Sequence, residues 1–273
     1  MPKILISDAM DDIASEILKK NQLEVDTITS LDPDELKRII LSYDGLIVRS
    51  ATKVKNDIIE SAKNLKIIGR AGAGVDNIDI ESAKKNNIIV MNTPGGNANA
   101  TAEHTIGLIF SLLRKIPFAN VSTHKGLWEK KKFKGNELRG KKIGIIGFGN
   151  VGKKVAEISN AIGMNVYIYS SYFDQVKLNY KSFKSCSLNN ILSNSDIISL
   201  HCKPNKDGTS IITKKEINLM KKNCILINTA RGNLINESDL AYALKNDLVK
   251  GAALDVYQNE PAKDSELFGI KNI

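Results

Sequence analysis

The amino-acid sequence predicts an α/β protein made of two doubly wound domains, each built on a parallel sheet. Short apolar runs rich in β-branched residues alternate with helix-like stretches from the start of the chain, as in successive βαβ units. Two such series follow one another, and a length of 273 residues favours two domains. We therefore predict a first domain at residues 1–97 and a second at residues 98–273.

The first series predicts a compact domain of four strands and four helices. The second helix has a clear start, because Asp32 can cap it, Pro33 fits its first turn, and Glu35 complements the positive end of the helix dipole. The predicted strands are Ile4–Ile6, Gly45–Val48, Ile67–Gly69 and Ile88–Asn92, and the predicted helices lie near 11–20, 33–41, 55–62 and 79–85.

A long, mostly apolar segment from Ala98 to Leu113 connects the two series. Polar residues interrupt it too often for a membrane span, which needs about 18 consecutive apolar residues. It is expected to be a buried crossover helix with His104 in the core. Residues 114–139 are basic and irregular, which is typical of a solvated surface connector, and His124 is expected to lie on that surface.

The composition is that of an ordinary globular protein and excludes several classes of function. The formal net charge is +9, but the lysines are spread along the chain without a nucleic-acid recognition motif, so an anionic small molecule is the expected partner. Cys186, Cys202 and Cys224 are widely spaced, which argues against disulfides or a metal site and fits the reducing cytoplasm. Neither a targeting signal nor a membrane segment is expected.

The second series opens with a dinucleotide-binding signature. The apolar strand from Lys142 to Ile146 runs directly into Gly147-x-Gly149-x-x-Gly152 and then into a helical pattern. The first glycine permits the tight turn, the second lets the backbone approach a pyrophosphate, and the third lets the helix pack closely on the strand. Unpaired N–H groups at the helix N-terminus then favour the anion, so the second domain is predicted to be a Rossmann domain that binds NAD(P).

The residue that usually selects NAD over NADP is replaced in this sequence. The strand Asn165–Tyr169 would ordinarily be followed by an acid that holds the ribose hydroxyls, but Ser170 stands there. Serine removes the charge that would repel a 2′-phosphate without creating a phosphate site, and the nearest following cation is Lys177. NAD is the expected cofactor, with NADP left open.

Together with three further runs, this signature resembles the D-2-hydroxyacid dehydrogenases, and most strongly their phosphoglycerate dehydrogenase branch. The runs are Val48–Val54, Gly69–Asp79 and Met91–Asn97. The resemblance implies a flavodoxin-like substrate domain followed by the Rossmann domain, with the reaction in a cleft between them. It also implies a homodimer or higher homo-oligomer, joined through the cofactor domain near the crossover helix.

The resemblance assigns two catalytic residues. Arg231 follows the strand Ile225–Ile227, and its planar guanidinium suits the carboxylate of a 2-oxo acid. Glu260 resembles the glutamate that pairs with the family's catalytic histidine and raises its pKa. That histidine belongs to a Pro-His-x-Gly segment expected just after Ile273, so the sequence is expected to be truncated and, as it stands, nearly inactive. His201, after the strand Ile197–Leu200, is expected to be structural.

The resemblance also assigns binding residues in both domains. In the cofactor domain they are Gly147, Gly149, Asn150, Val151, Gly152, Ser170, Cys202, Thr229, Ala230 and Asp255. In the substrate domain they are Arg49, Ala73, Gly74, Val75 and Asn97. Arg49 is expected near a substrate phosphate, because guanidinium groups bind phosphate in a two-pronged geometry.

Three functions are compatible with these residues. The first is oxidation of 3-phosphoglycerate by NAD, or its reversal from 3-phosphohydroxypyruvate, as the entry to serine biosynthesis. The second is a glyoxylate or hydroxypyruvate reductase. The third is a non-catalytic NAD(H)-sensing protein of the same fold. Neither a nucleic acid nor a membrane is expected as a partner.

Overall fold

The computed structural model describes all 273 residues, which form two compact units, Met1–Asn97 and Ala98–Ile273. Each unit is built on one parallel sheet, with five strands in the first and six in the second. None of the helices is both long and apolar enough to cross a bilayer.

The sheet of the first unit has the flavodoxin-like order β2-β1-β3-β4-β5. Its strands are β1 (Lys3–Ile6), β2 (Glu24–Thr27), β3 (Gly45–Val48), β4 (Ile67–Arg70) and β5 (Ile89–Asn92). Its helices are α1 (Ile13–Lys20), α2 (Pro33–Ile39), α3 (Asn56–Ser61) and α4 (Ile80–Lys85). The capping prediction for α2 is confirmed, because the Asp32 carboxylate accepts from the backbone N–H of Glu35 at 2.8 Å.

In the first unit, the structure adds one strand that the sequence prediction missed. Strand β2 lies at the edge of the sheet and is half-exposed, so its sequence is Glu-Val-Asp-Thr instead of an apolar run. The Lys3 ammonium bridges its acidic side chains, at 3.2 Å from Glu24 and 3.0 Å from Asp26. An edge strand of this kind lacks the hydrophobic signal of a buried strand.

The second unit contains α5 (Ala98–Arg114), α6 (Ile116–His124) and a sheet ordered β11-β10-β9-β6-β7-β8, the Rossmann arrangement. The other strands and helices follow in chain order: β6 (Lys142–Ile146), α7 (Asn150–Ala161), β7 (Asn165–Tyr169), α8 (Ser171–Val176), β8 (Lys184–Ser185), α9 (Leu188–Asn194), β9 (Ile197–Leu200), α10 (Lys214–Ile217), β10 (Ile225–Asn228), α11 (Glu237–Lys245) and β11 (Gly251–Leu254).

Both faces of this sheet are covered, which explains its nearly continuous apolar strands. In β10, Ile225 and Ile227 pack into the same core as α5 and α7, whereas Leu226 packs into the core shared by α9 and α11. Successive side chains of a strand point to opposite faces, so a strand buried on both faces needs apolar residues at every position. The prediction of two parallel-sheet α/β domains is confirmed.

The prediction of an irregular connector at 114–139 is wrong in part, because helix α6 occupies Ile116–His124. Pro117 lies in the first turn of this helix, where its missing N–H costs nothing. The position of that proline was an available signal for a helix start, and the surrounding basic residues obscured it. His124, at the last position of α6, is exposed as expected.

Candidate functional site

The predicted cofactor residues all follow the carboxyl ends of strands in the second unit. Backbone hydrogen bonds extend the sheet one residue past three of these ends: Gly147 N–H donates to the Tyr169 carbonyl at 2.9 Å, His201 N–H to Ile146 at 2.7 Å, and Asp255 N–H to Asn228 at 2.9 Å. The loops therefore start from fixed positions along one edge. That edge, where the strand order reverses beside β6, is where open α/β sheets bind ligands.

Two of the three signature glycines are required by the fold itself. Gly147 has a φ of +99°, and a Cβ there would lie 2.4 Å from the His201 carbonyl oxygen. A Cβ at Gly152 would lie 2.3 Å from the Gly147 carbonyl oxygen. Both distances are far below van der Waals contact, so neither position accepts a side chain without a backbone shift.

The middle glycine behaves differently. A Cβ at Gly149 would meet nothing within 4 Å, and the backbone there has an ordinary negative φ. Gly149 precedes α7, whose first residues are Asn150 and Val151, and no side chain caps the N-terminus of that helix. The chain therefore leaves open space beside unpaired N–H groups, as a bound pyrophosphate requires.

A cavity of about 990 Å³ adjoins this turn. Gly147, Ser170 and Cys202 all belong to its wall, so the structure brings together one cofactor residue from each of three strand ends. Its volume is in the range of cofactor and ligand pockets. The glycine turn and the cavity together fit a dinucleotide.

The cysteine and histidine side chains near the cavity are neutral near pH 7. Burial raises the pKa of the Cys202 thiol to about 11 and also raises that of Cys186, so both remain protonated. Burial lowers the pKa of His201 to about 4, and its Nε2 lies 2.8 Å from the Ser199 hydroxyl. His201 is therefore uncharged near pH 7, and it lies just after the end of β9.

Arg231 lies in the loop that follows β10. Its backbone carbonyl accepts from the Asn228 amide at 2.8 Å, and the Asn228 side-chain oxygen accepts from Ala230 N–H at 3.1 Å. Gly232 follows, and a Cβ there would lie 1.9 Å from the Tyr257 carbonyl carbon. These contacts fix the backbone on both sides of the arginine.

The neighbouring residue Thr229 joins this loop to the crossover helix. Its hydroxyl lies 2.8 Å from that of Thr105 on α5, and both residues are buried. The Arg231 guanidinium donates to the Ala230 carbonyl at 2.7 Å. The loop after β10 is thus held from the helix side as well as from the sheet.

His104 does not lie in the core, so that prediction is wrong. The buried face of α5 includes Ala102, Thr105 and Ile109, and residue 104 projects from a different face of the helix. Its side chain is 50% exposed, and its Nε2 lies 3.4 Å from a carboxylate oxygen of Asp255. The predicted cofactor acid after β11 thus has a histidine partner that sequence periodicity did not indicate.

Glu260 lies in the exposed loop that follows Asp255. Its carboxylate accepts from Tyr257 N–H at 3.1 Å, which closes a short turn. A second acid, Glu237, anchors the same loop by accepting from Gln258 N–H at 2.6 Å and from the Ser265 hydroxyl at 2.8 Å. Glu260 is therefore available at the surface of the unit, on a loop with a fixed base.

In the first unit, Arg49 follows the carboxyl end of β3. The buried carboxylate of Asp8 accepts from the backbone N–H groups of Arg49 and Thr52, and from the Thr52 hydroxyl at 2.7 Å. The side-chain amide of Asn77 donates to the Arg49 carbonyl at 2.8 Å. The backbone at Arg49 is therefore held by several hydrogen bonds, while its side chain is exposed. Asp8 is a supporting residue that the sequence did not reveal.

The loop containing Ala73, Gly74 and Val75 follows β4, the neighbour of β3. The Asn92 amide, at the end of β5, donates to the Ala73 carbonyl at 2.7 Å, and Thr93 N–H donates to the Gly72 carbonyl at 3.0 Å. The loops after β3, β4 and β5 therefore lie side by side. Asn97 is exposed and is the last residue of this unit.

Comparison with known proteins identifies the second unit. Residues 106–273 match the NAD-binding domain of the D-isomer specific 2-hydroxyacid dehydrogenases. The D-3-phosphoglycerate dehydrogenase of Archaeoglobus fulgidus is 42% identical over 272 residues, which are 99% of this chain and 52% of that protein. The hydroxypyruvate reductase of Thermotoga maritima is 42% identical over 275 residues, covering 99% of this chain and 89% of that protein.

The chain spans about half the length of the curated phosphoglycerate dehydrogenases it matches. Among solved structures, a glyoxylate reductase from Paecilomyes thermophila superposes with a TM-score of 0.87 at 27% identity, over 98% of this chain and 85% of that one. Since the family model covers more than half of the sequence and relatives share 42% identity along nearly all of it, this chain belongs to the D-isomer specific 2-hydroxyacid dehydrogenase family.

Proposed function

We propose that the protein is an NAD-dependent dehydrogenase that transfers a hydride between NAD(H) and a D-2-hydroxy acid. The observation that carries this proposal is the glycine turn with open space at Gly149, beside a cavity of about 990 Å³. The cofactor supplies the hydride chemistry when bound. The residues of this chain bind the dinucleotide, orient the substrate and, at Glu260, support an acid-base histidine.

We propose particular residues for each of these roles. Gly149, with the N–H groups of Asn150 and Val151, binds the pyrophosphate at the N-terminus of α7. Arg231 binds the substrate carboxylate with its planar guanidinium, and Glu260 raises the pKa of an acid-base histidine of the family's kind. The hydrogen bonds of the Asn228 side chain fix the loop backbone at Arg231, which reduces the ordering needed on binding.

The contacts proposed for the remaining cofactor residues follow from their place on the same sheet edge. Ser170 and Cys202, in the cavity wall, are proposed to contact the adenosine half. Thr229, Ala230 and Asp255, after β10 and β11, are proposed to contact the nicotinamide half, because these strands lie on the other side of β6.

For the substrate we propose 3-phosphoglycerate and its oxidised form, 3-phosphohydroxypyruvate, which would place the protein in serine biosynthesis. Arg49 supports this choice, since it is an exposed guanidinium on a backbone fixed by Asp8. In the same unit, the N–H groups of Ala73, Gly74 and Val75 are proposed to bind the substrate carboxylate, and Asn97 its distal end. Curated relatives that are 38–42% identical to this chain carry the name D-3-phosphoglycerate dehydrogenase.

Hydroxypyruvate or glyoxylate is the second candidate substrate. The specific observation in its favour is the hydroxypyruvate reductase of Thermotoga maritima, of which this chain covers 89% at 42% identity. Ala73 also lacks a hydroxyl that would donate a hydrogen bond in the substrate loop. The two candidates differ in the phosphate, so the role of Arg49 separates them.

A homodimer is proposed for the assembly, joined through the second unit. Helix α6 and the turn after it present exposed apolar side chains, among them Phe118, Val121 and Trp128, the last 78% exposed. A surface of this kind on one face is typical of a protein–protein contact. Light scattering should give twice the monomer mass, and a monomer mass for the full-length protein would contradict this assembly.

The free cysteines fit a cytoplasmic location, which we propose as well.

The glycine turn provides the first test. Replacing Gly149 by valine should raise the Kd for NADH about 10-fold or more, because the side chain would fill the space needed by the pyrophosphate, while the thermal unfolding midpoint should stay unchanged. The matched variant Gly152→Ala should lower the midpoint, since its Cβ would collide with the Gly147 carbonyl. NADH fluorescence titration measures the binding, and an unchanged Kd for Gly149→Val would count against the proposed site.

Arg231 provides the second test. Arg231→Lys keeps the charge but loses the two-pronged geometry, so kcat/KM for a 2-oxo acid in the full-length protein should fall about 10- to 100-fold. The Kd for NADH should not change, because the residue is proposed to hold the substrate only. A lysine variant with wild-type kcat/KM would remove Arg231 from the proposed mechanism.

Arg49 provides the test of substrate choice. Arg49→Ala in the full-length protein should lower kcat/KM for phosphohydroxypyruvate about 10- to 100-fold, because a charge-assisted phosphate contact is lost. The value for glyoxylate should change less than about threefold, within the range expected for loss of a surface cation. Equal losses for the two substrates would contradict the phosphoglycerate assignment and favour the reductase.

A further inference from the structure

The wall of the cofactor cavity contains an acid at a position where the sequence pattern does not place one. Ser170, after β7, lacks the carboxylate that usually contacts the ribose in this fold. Asp174 lies four residues further on, in helix α8, and it lines the same cavity. Ser170 is the residue directly before this helix, and it lines the cavity together with Asp174.

The Asp174 side chain is fixed by the neighbouring edge strand. The Ser185 hydroxyl donates to the Asp174 carboxylate at 2.5 Å. Ser185 pairs with Ile168 in β7, and the next residue, Cys186, donates its N–H to the Ile168 carbonyl at 2.9 Å. The carboxylate is therefore held beside the end of β7, the place where the usual acid would act.

Helix α8 packs against an aromatic core through one of its residues, Phe173. Phe173, next to Asp174, is fully buried and packs edge-to-face on Phe148 with ring centroids 4.8 Å apart. Because Phe173 points into the protein, the adjacent Asp174 is left at the surface, and it is exposed. The burial of Phe173 thus anchors the short helix, and Asp174 lies in the cavity wall.

The charges around the cavity favour a ligand without an extra phosphate. Its wall includes two carboxylates, Asp174 and Glu216, and no lysine or arginine. Glu216 already forms a capping box at α10, where it accepts from the Thr213 N–H at 3.1 Å and hydroxyl at 2.6 Å. Lys177, the nearest cation after Ser170 in the sequence, is not part of the wall. Asp174 is therefore the acid available to a ribose.

We propose that Asp174, positioned by Ser185, takes over the role of the missing acid at Ser170 and makes the protein select a dinucleotide with a free ribose 2′-hydroxyl. A carboxylate accepts hydrogen bonds from ribose hydroxyls and repels a 2′-phosphate. This inference rests on the proposed dinucleotide site and adds the residue that sets its cofactor preference.

The test compares the Kd values for NADH and NADPH in wild type and in Asp174→Asn, measured by fluorescence titration in low salt. Wild type should bind NADH at least about 10-fold more tightly than NADPH, because the carboxylate opposes the extra phosphate. Asp174→Asn keeps the size of the side chain and removes its charge. The ratio of the NADPH Kd to the NADH Kd should therefore fall to about three or less, mainly through tighter NADPH binding.

Two further variants separate this role from a general effect of charge. Glu216→Gln removes the other carboxylate of the wall and keeps a side chain suited to the capping box. Its ratio of the NADPH Kd to the NADH Kd should therefore equal that of wild type. Ser185→Ala leaves the acid but frees it, so the ratio should be intermediate. Raising the salt concentration to about 0.5 M should lower the wild-type ratio, because salt screens the repulsion between the carboxylate and the 2′-phosphate. The ratio for Asp174→Asn should stay nearly unchanged.

The outcomes distinguish this inference from the function on which it rests. Binding of both dinucleotides with the same ratio in wild type and Asp174→Asn would overturn the role of Asp174 and leave the dinucleotide site standing. A ratio that falls equally in Asp174→Asn and Glu216→Gln would also overturn it, because a general field would then explain the preference. Failure of wild type to bind either dinucleotide would overturn both proposals.

Discussion

The parallel pairing of β6 with β7 and β9 is the constraint on which the candidate site depends. Parallel register brings the carboxyl ends of all these strands to one edge, so loops far apart in sequence begin side by side. The ladder continues one residue past the strand ends at Gly147 and His201. Burial of the sheet on both faces by apolar residues keeps this edge rigid, and the exposed loops contribute the polar groups.

Close approach of backbones is the second constraint, and it explains why glycine is needed twice in one turn. Gly147 lies against the His201 carbonyl and Gly152 against the Gly147 carbonyl, so β6, β9 and α7 meet almost without side chains between them. Gly149 has no such contact within the chain. Within one motif, the fold thus accounts for two glycines, and the third matches the pyrophosphate contact that we propose.

The fold class and the glycine turn could be predicted because their signals are local. Apolar strand runs, helix caps such as Asp32 and the spacing of glycines are set by neighbouring residues. Strand β2 was missed because an edge strand does not need apolar side chains, and His104 was misplaced because the hydropathy of α5 does not identify its exposed face. Asp174 was missed because its place in the cavity wall depends on a tertiary contact with Ser185, which lies eleven residues further along the chain.

The central claim is that the carboxyl edge of the second sheet binds a dinucleotide along the turn between Gly147 and Gly152. A crystal structure of the protein grown with NADH tests this most directly, because it locates the ligand independently of any variant. We expect pyrophosphate density at the N-terminus of α7, beside Gly149, and adenosine density in the cavity bounded by Ser170 and Cys202. Density for NADH elsewhere on the chain, with this turn filled only by solvent, would contradict it.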